Sequence, residues 1–304
     1  MRRLPVLAAV LGLVTGTVGP AAAAEDPLQD GRKAAAQLVF TATVTVRWVD
    51  AAGTHEQTML VESDRGRVRI DYRPWTSGPT DLDLPPASRK YDLRTGLGPV
   101  VAGRLTTAVE LWSGGVVHER LAVDQATGLV LFREQLGPAG LPVRVVTVEQ
   151  LEVTSAPGEP RGGSTTSTTI EIALPRPYRT PPVLSGGYLQ LAAFRHGSIV
   201  QTVYSDGLHG ISVFAQRGRL DEDALPRGGR AVRVDGRRGW SYAWPGGVAV
   251  TWTAGGLVYT LVGDGPSEEL VAAAASVRPP AVSLLDRLKR SSRAMAELLT
   301  GRRS

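Results

Sequence analysis

Near the amino terminus, Leu38, Phe40, Ala42, Val44, Val46 and Trp48 are apolar, and the intervening Thr41, Thr43, Thr45 and Arg47 are polar. Period-two alternation in β-branched and aromatic residues describes a half-buried strand, with one face for a core and one for water. The spacing of turn signals narrows the fold further. They recur at 50–53, 63–66, 113–115, 124–128 and 137–140, and the segments 56–62, 66–72, 117–124, 129–135 and 142–153 between them read as strands. Connections this short leave no room for crossover helices, so the sheet is expected to be antiparallel.

Residues 73–97 break the rhythm with Pro74, Pro79, Pro85 and Pro86, and predict a long irregular loop or lid, with a short helix at most. Residues 154–182, rich in Gly, Pro, Ser and Thr, mark a linker between two domains, 25–153 and 183–278. In the second, 191–194, 198–204, 210–216 and 231–234 read as strands. Residues 248–254 and 257–262 form the clearest hairpin, because Gly255-Gly256 supplies the positive φ angles of a primed turn. Ser267 to Ser276 reads as a helix with Glu268 and Glu269 at its positive end. The expected class is therefore α+β, mainly antiparallel β.

The two ends read differently. Arg2 and Arg3, the apolar stretch Leu4 to Val18 and Ala22-Ala23-Ala24 predict an export signal over 1–24, too short and too interrupted by Gly16, Gly19 and Pro20 for a spanning helix. The chain has no cysteine, so disulfides, thiol chemistry and thiolate metal sites are excluded, and stability must come from buried cores. The basic balance sits in the tail. Residues 279–304 carry Arg287, Lys289, Arg290, Arg293, Arg302 and Arg303 against Asp286 and Glu297, whereas the body between signal and tail is close to neutral. A nucleic-acid binder would instead spread basic residues over a folded face. In the tail, Leu285, Leu288, Arg290, Met295 and Leu299 fall on a basic amphipathic helix suited to peripheral membrane contact.

No catalytic constellation emerges. His55, His118, His196 and His209 lack metal-ligand spacing, and no HExxH motif is present. His196, Ser205, Asp206 and His209 are near one another in sequence, but no Gly-x-Ser-x-Gly elbow supports a hydrolase, and Ser205-Asp206-Gly207 reads as turn chemistry. No glycine-rich stretch has the context of a phosphate loop. The expectation is a binding protein, not an enzyme, with no cofactor and no metal.

Leu121-Ala122-Val123-Asp124 with Ala126-Thr127-Gly128-Leu129-Val130-Leu131-Phe132-Arg133-Glu134, and then Val203-Tyr204-Ser205-Asp206-Gly207-Leu208-His209-Gly210-Ile211-Ser212-Val213-Phe214, resemble the MucB/RseB family of sigma-factor regulators. The Arg-rich chain with its basic tail looks like the actinobacterial branch. The resemblance implies a LolA/LppX-like curved half-barrel followed by a smaller α/β domain, located in the periplasm or cell-wall space on the outer face of the membrane. It implies binding to the extracytoplasmic segment of a transmembrane anti-sigma factor, with control of that factor's proteolysis in envelope stress. Tyr204, Asp206, Leu208, Val213 and Phe214 are the candidate partner-binding residues. Phe40, Val44, Val46, Trp48, Leu121 and Val123 are candidates for an apolar cavity holding a lipid or lipoprotein, and a lipid or lipoprotein carrier is the alternative reading. The same apolar face could instead pack against helices of its own domain. A second copy of the chain is a further candidate partner.

Overall fold

The computed structural model describes residues 37–65, 67–71, 73–75, 84–155 and 180–277, together with Leu28, Gly31 and Tyr178. The expected signal, most of the segment 28–38 (where the run Ala34-Ala35-Ala36 also predicts a short helix), nearly all of the linker and the tail lie outside them.

The first sheet has nine strands: β1 (Val39–Asp50), β2 (Gly53–Asp64), β3 (Arg67–Ile70), β4 (Arg73–Trp75), β5 (Asp92–Leu97), β6 (Thr106–Ser113), β7 (Val116–Asp124), β8 (Val130–Leu136) and β9 (Pro142–Ser155). Their order is β4-β3-β2-β1-β9-β8-β7-β6-β5, antiparallel throughout, so the long first and last strands are central neighbours. The alternation in β1 does what it predicts, burying Ala42, Val44 and Val46 on one face. They pack with Met59, Val61, Leu131, Val146 and Val148. The sheet curls into a half-barrel, and the β5–β6 connection comes back over this cluster with Val101 and Ala102. A second cluster, Tyr91, Val109, Leu111, Leu121 and Val123, lies toward the β5 edge.

The second sheet has eight strands: β10 (Val183–Leu184), β11 (Tyr188–His196), β12 (Ile199–Ser205), β13 (Gly210–Arg217), β14 (Arg230–Val234), β15 (Arg237–Trp244), β16 (Gly247–Ala254) and β17 (Leu257–Gly263). The order is β10-β11-β12-β13-β17-β16-β15-β14. Gly255 and Gly256 sit at φ +61° and +79°, the primed turn that the β16–β17 hairpin needs. Helix α1 (Ser267–Ser276) lays Leu270, Ala273 and Ala274 on one sheet face, against Tyr188, Ile211, Val250, Trp252 and Leu261. Without a side-chain cap, its amino terminus has Glu268 and Glu269 to offset the helix dipole.

The structure corrects the expectation for 73–97. Instead of a continuous irregular loop it contains β4, a 3-10 turn over Ala87–Arg89 and β5. Pro74 is tolerated because β4 is an edge strand, where a missing N–H costs no ladder bond. Strands β6, β10 and β15 were not foreseen; β15 hides behind Arg237, Arg238 and Gly239, which blur its alternation. Among the described residues the apolar face of β1 packs with neighbouring strands, with Val101 and Ala102 and with Trp244 of the second sheet.

Candidate functional site

The β12–β13 connection, Asp206 to His209, is buried against the first sheet. A short loop between antiparallel strands normally lies in water, so its burial needs partners. The loop first folds on itself: the Asp206 carboxylate accepts from the backbone N–H groups of Leu208 (3.0 Å) and His209 (2.7 Å), and Ser205 Oγ donates to the His209 carbonyl (2.8 Å). Gly207, at φ +95°, passes so close to Pro85 and Pro86 that a Cβ there would meet their backbone at 2.5–2.7 Å. Leu208 then enters the first sheet's own cluster with Leu121 and Val123.

The ionisable groups of the two sheets meet around this loop. Lys90 Nζ lies 2.8 Å from both Asp206 and Glu269, and Tyr91 OH donates to Asp206 at 2.9 Å. The His209 ring is held between two carboxylates, with Nε2 2.6 Å from Glu119 and Nδ1 3.3 Å from Asp206. Arg133 bridges Glu119 (2.9 Å) and Asp264 (2.9 Å), while Gln135 donates to Glu119 and to the Asp264 carbonyl, both at 3.1 Å. Arg144 donates to the Pro245 carbonyl at 2.9 Å. Unpaired, each of these buried charges would be costly, and mutual neutralisation makes the junction tenable.

Protonation follows the geometry. Burial opposes the charged form of His209, but Glu119 and Asp206 outweigh it and push the imidazole up to about 10, so it stands as a cation donating to both. Burial would raise Glu119, yet Arg133 and His209 hold it down at about 2. Burial likewise opposes ionised Asp206, which His209 and Lys90 hold well below the usual carboxylate range. Burial and the adjacent Arg133 lower Arg144 to about 10.

These contacts hold the two sheets together. Ser205 Oγ is committed to a carbonyl, and the His209 imidazole faces Glu119 and Asp206, so no serine–histidine relay forms. Among the described residues no group of three or more His, Asp or Glu side chains is disposed to hold a metal ion.

Of the residues singled out from sequence, Asp206 and Leu208 lie in this junction, and Tyr204 and Val213 lie in the core beneath α1. Phe214 is half-buried on the opposite face of the second sheet, with Ala249, Val262, Tyr242 and Trp244. Strand register sets Phe214, Thr260, Thr251 and Trp240 in one row across β13, β17, β16 and β15. Trp240 Nε1, Tyr242 OH and Trp244 Nε1 on this face are buried donors without a partner among the described residues. Phe40, Val44, Val46 and Trp48 share one apolar cluster, which Trp244 also touches; Leu121 and Val123 belong to the other, with Leu208. Leu285, Leu288, Arg290, Met295 and Leu299 lie outside the described residues. Sequence reasoning missed Lys90, Tyr91, Glu119, Arg133, Gln135 and Asp264, whose types are ordinary for strands and loops. The Asp-Gly-Leu-His stretch was the one visible signal, and it reads equally well as a turn.

Fold and site together define a protein of two antiparallel sheets joined through a buried polar junction. No family model and no curated protein matches the chain. Among solved structures, the Pseudomonas aeruginosa MucA/MucB complex is similar at 21% identity and a TM-score of 0.45, covering 84% of this chain and 98% of the other. A structure of MucB in complex with MucA(peri) is similar at 21% and 0.44, with the same coverages. One of MucB is similar at 20% and 0.46, covering 84% and 97%.

Proposed function

We propose that the chain is an exported regulator that binds the extracytoplasmic segment of a transmembrane anti-sigma factor and controls that segment's first proteolytic cut. The class of partner comes from the resemblance carried by Val203 to Phe214. The observation that carries the binding reading is the aromatic face to which that stretch contributes. Phe214, Trp240, Tyr242 and Trp244 share it, and three of them hold buried donors that no described residue satisfies. Buried donors normally find acceptors, and aromatic side chains with a polar atom dominate the energetics of protein interfaces. An extended peptide backbone offers both carbonyl acceptors and apolar side chains. In this reading a lipid signal acts at the other cluster, where an acyl chain would have to displace Leu208 from Leu121 and Val123.

The test is titration of the mature protein with the extracytoplasmic segment of a single-pass anti-sigma factor from the same organism. Micromolar or tighter binding is expected, weakened at least about tenfold by Phe214→Ala with Trp240→Ala, as loss of two interface anchors implies. Absence of binding by the parent protein at tens of micromolar would overturn the reading.

A further inference from the structure

The loop between β5 and β6 presents aliphatic side chains to water without an internal reason. Leu97 is 96% exposed, Val100 65% and Leu105 68%. From Thr95 to Gly103 the chain carries no charge, and Arg94 and Arg104 bracket the stretch.

The loop is firmly built. Val101 and Arg104 exchange backbone hydrogen bonds at 3.1 and 2.9 Å around Ala102 and Gly103, both at positive φ, which is a two-residue primed turn. Gly98 N–H donates to Thr106 (3.0 Å), Gln125 N–H to Leu105 (3.1 Å), and Arg104 is paired with buried Asp124 (2.9 Å). Val101 and Ala102 already fill the inward positions over the β1 cluster. Leu97, Val100 and Leu105 are therefore held outward.

Strand directions place this tip. Lys90, Tyr91, Glu119, Gln135 and Arg144, which hold the second sheet, stand near the Gly114-Gly115 end of their strands: Asp92 pairs with Trp112, Glu119 with Leu111 and Gln135, and Gln135 with Arg144. The six residues of β5 separate that end from Leu97, a span of roughly 20 Å at the rise of a strand. The polar contacts to the second sheet thus lie toward the opposite end, with Leu208 reaching from there into the Leu121–Val123 cluster.

We infer that the tip formed by Leu97, Val100 and Leu105 is a membrane-contact surface that seats the first sheet on a lipid bilayer. A bilayer accepts an aliphatic tip with no demand for matching polar groups, and because Arg94 and Arg104 at its margin already pair with Asp92 and Asp124, aliphatic burial carries the contact. A second copy is the weaker occupant, because a stable protein interface takes about 800 Å² per partner and this tip offers three side chains. The orientation leaves the second sheet facing away from the membrane. The inference is independent of the partner-binding reading.

The chain lacks cysteine, so single cysteines can carry an environment-sensitive fluorophore. Leu97→Cys and Val100→Cys report on the tip, and Val116→Cys, exposed at the opposite end of the sheet, is the control. With vesicles of phosphatidylglycerol and phosphatidylcholine, the tip labels are expected to shift to the blue and be quenched by lipid-borne quenchers, and the control label to stay unchanged. In the full-length protein, Leu97→Ser with Val100→Ser and Leu105→Ser should weaken vesicle flotation at least fivefold while circular dichroism stays native. Three results would overturn the inference: no vesicle binding, vesicle binding with the tip labels still in water, or a concentration-dependent shift without vesicles, which would mark self-association.

Discussion

Between Glu119 and Asp206 the imidazole of His209 stays charged where an ordinary histidine would be neutral. That bears directly on pH dependence. Its pKa is raised from 6.5 to about 10, so its contribution to stability is complete below about 6.5 and is lost as pH rises through about 10. Glu119 is depressed from 4.5 to about 2, so its contribution is complete above about 4.5 and is lost as pH falls through about 2; depressed Asp206 adds to the same acid limb. Thermal unfolding followed against pH should therefore show a plateau between about 4.5 and 6.5 and a decline on both sides. Removing the imidazole with His209→Ala should cost about 3–5 kcal/mol, the scale for breaking a buried pair, and should flatten the alkaline limb. A variant with the parent's alkaline limb would remove His209 from this role.

The β12–β13 connection shows how one element joins two sheets. Its reach depends on Gly207, which adopts a left-handed φ against the Pro85–Pro86 backbone. Gly207→Val adds both steric conflict and conformational strain. It is expected to displace Leu208 and lower the melting temperature by several degrees, while the β16–β17 hairpin keeps its amide protection in hydrogen exchange. Uniform loss of protection across both sheets would mean that the loop is part of one cooperative core instead of a clasp. The element was half legible in sequence. Asp206-Gly207 marks a turn by type alone, because aspartate bonds its own backbone and glycine accepts positive φ. Nothing local says that the turn is buried, since burial comes from Tyr91, Glu119 and Leu121, each far away in the chain.

Across the whole molecule, the junction joins sheets whose other contacts include Trp244 on the β1 cluster and Arg144 at Pro245. Its ion pairs are interdependent, because Glu119 serves His209, Arg133 and Gln135 together. Replacing Glu119 and Asp206 by Gln and Asn should therefore lose more than either change alone. The measurable consequence is a larger radius of gyration in small-angle scattering, with each sheet still folded. An unchanged radius in the double variant would show that packing of Leu208 and Trp244 suffices to hold the sheets together.

Alternation in β1, the glycine turn of β16–β17 and the spacing of Leu270, Ala273 and Ala274 in α1 were decided by sequence alone, because period and turn chemistry act between residues a few positions apart. Tertiary structure decided that β1 lies beside β9, that Glu119 and Arg133 confront His209 and Asp264, and that Phe214 joins Trp240 and Trp244 on one face. Those outcomes depend on how two curved sheets meet. Side chains such as Glu119 and His209, 90 positions apart, or Arg133 and Asp264, 131 apart, become neighbours only when both sheets have formed, and a charge in a strand gives no local sign of the partner that will neutralise it.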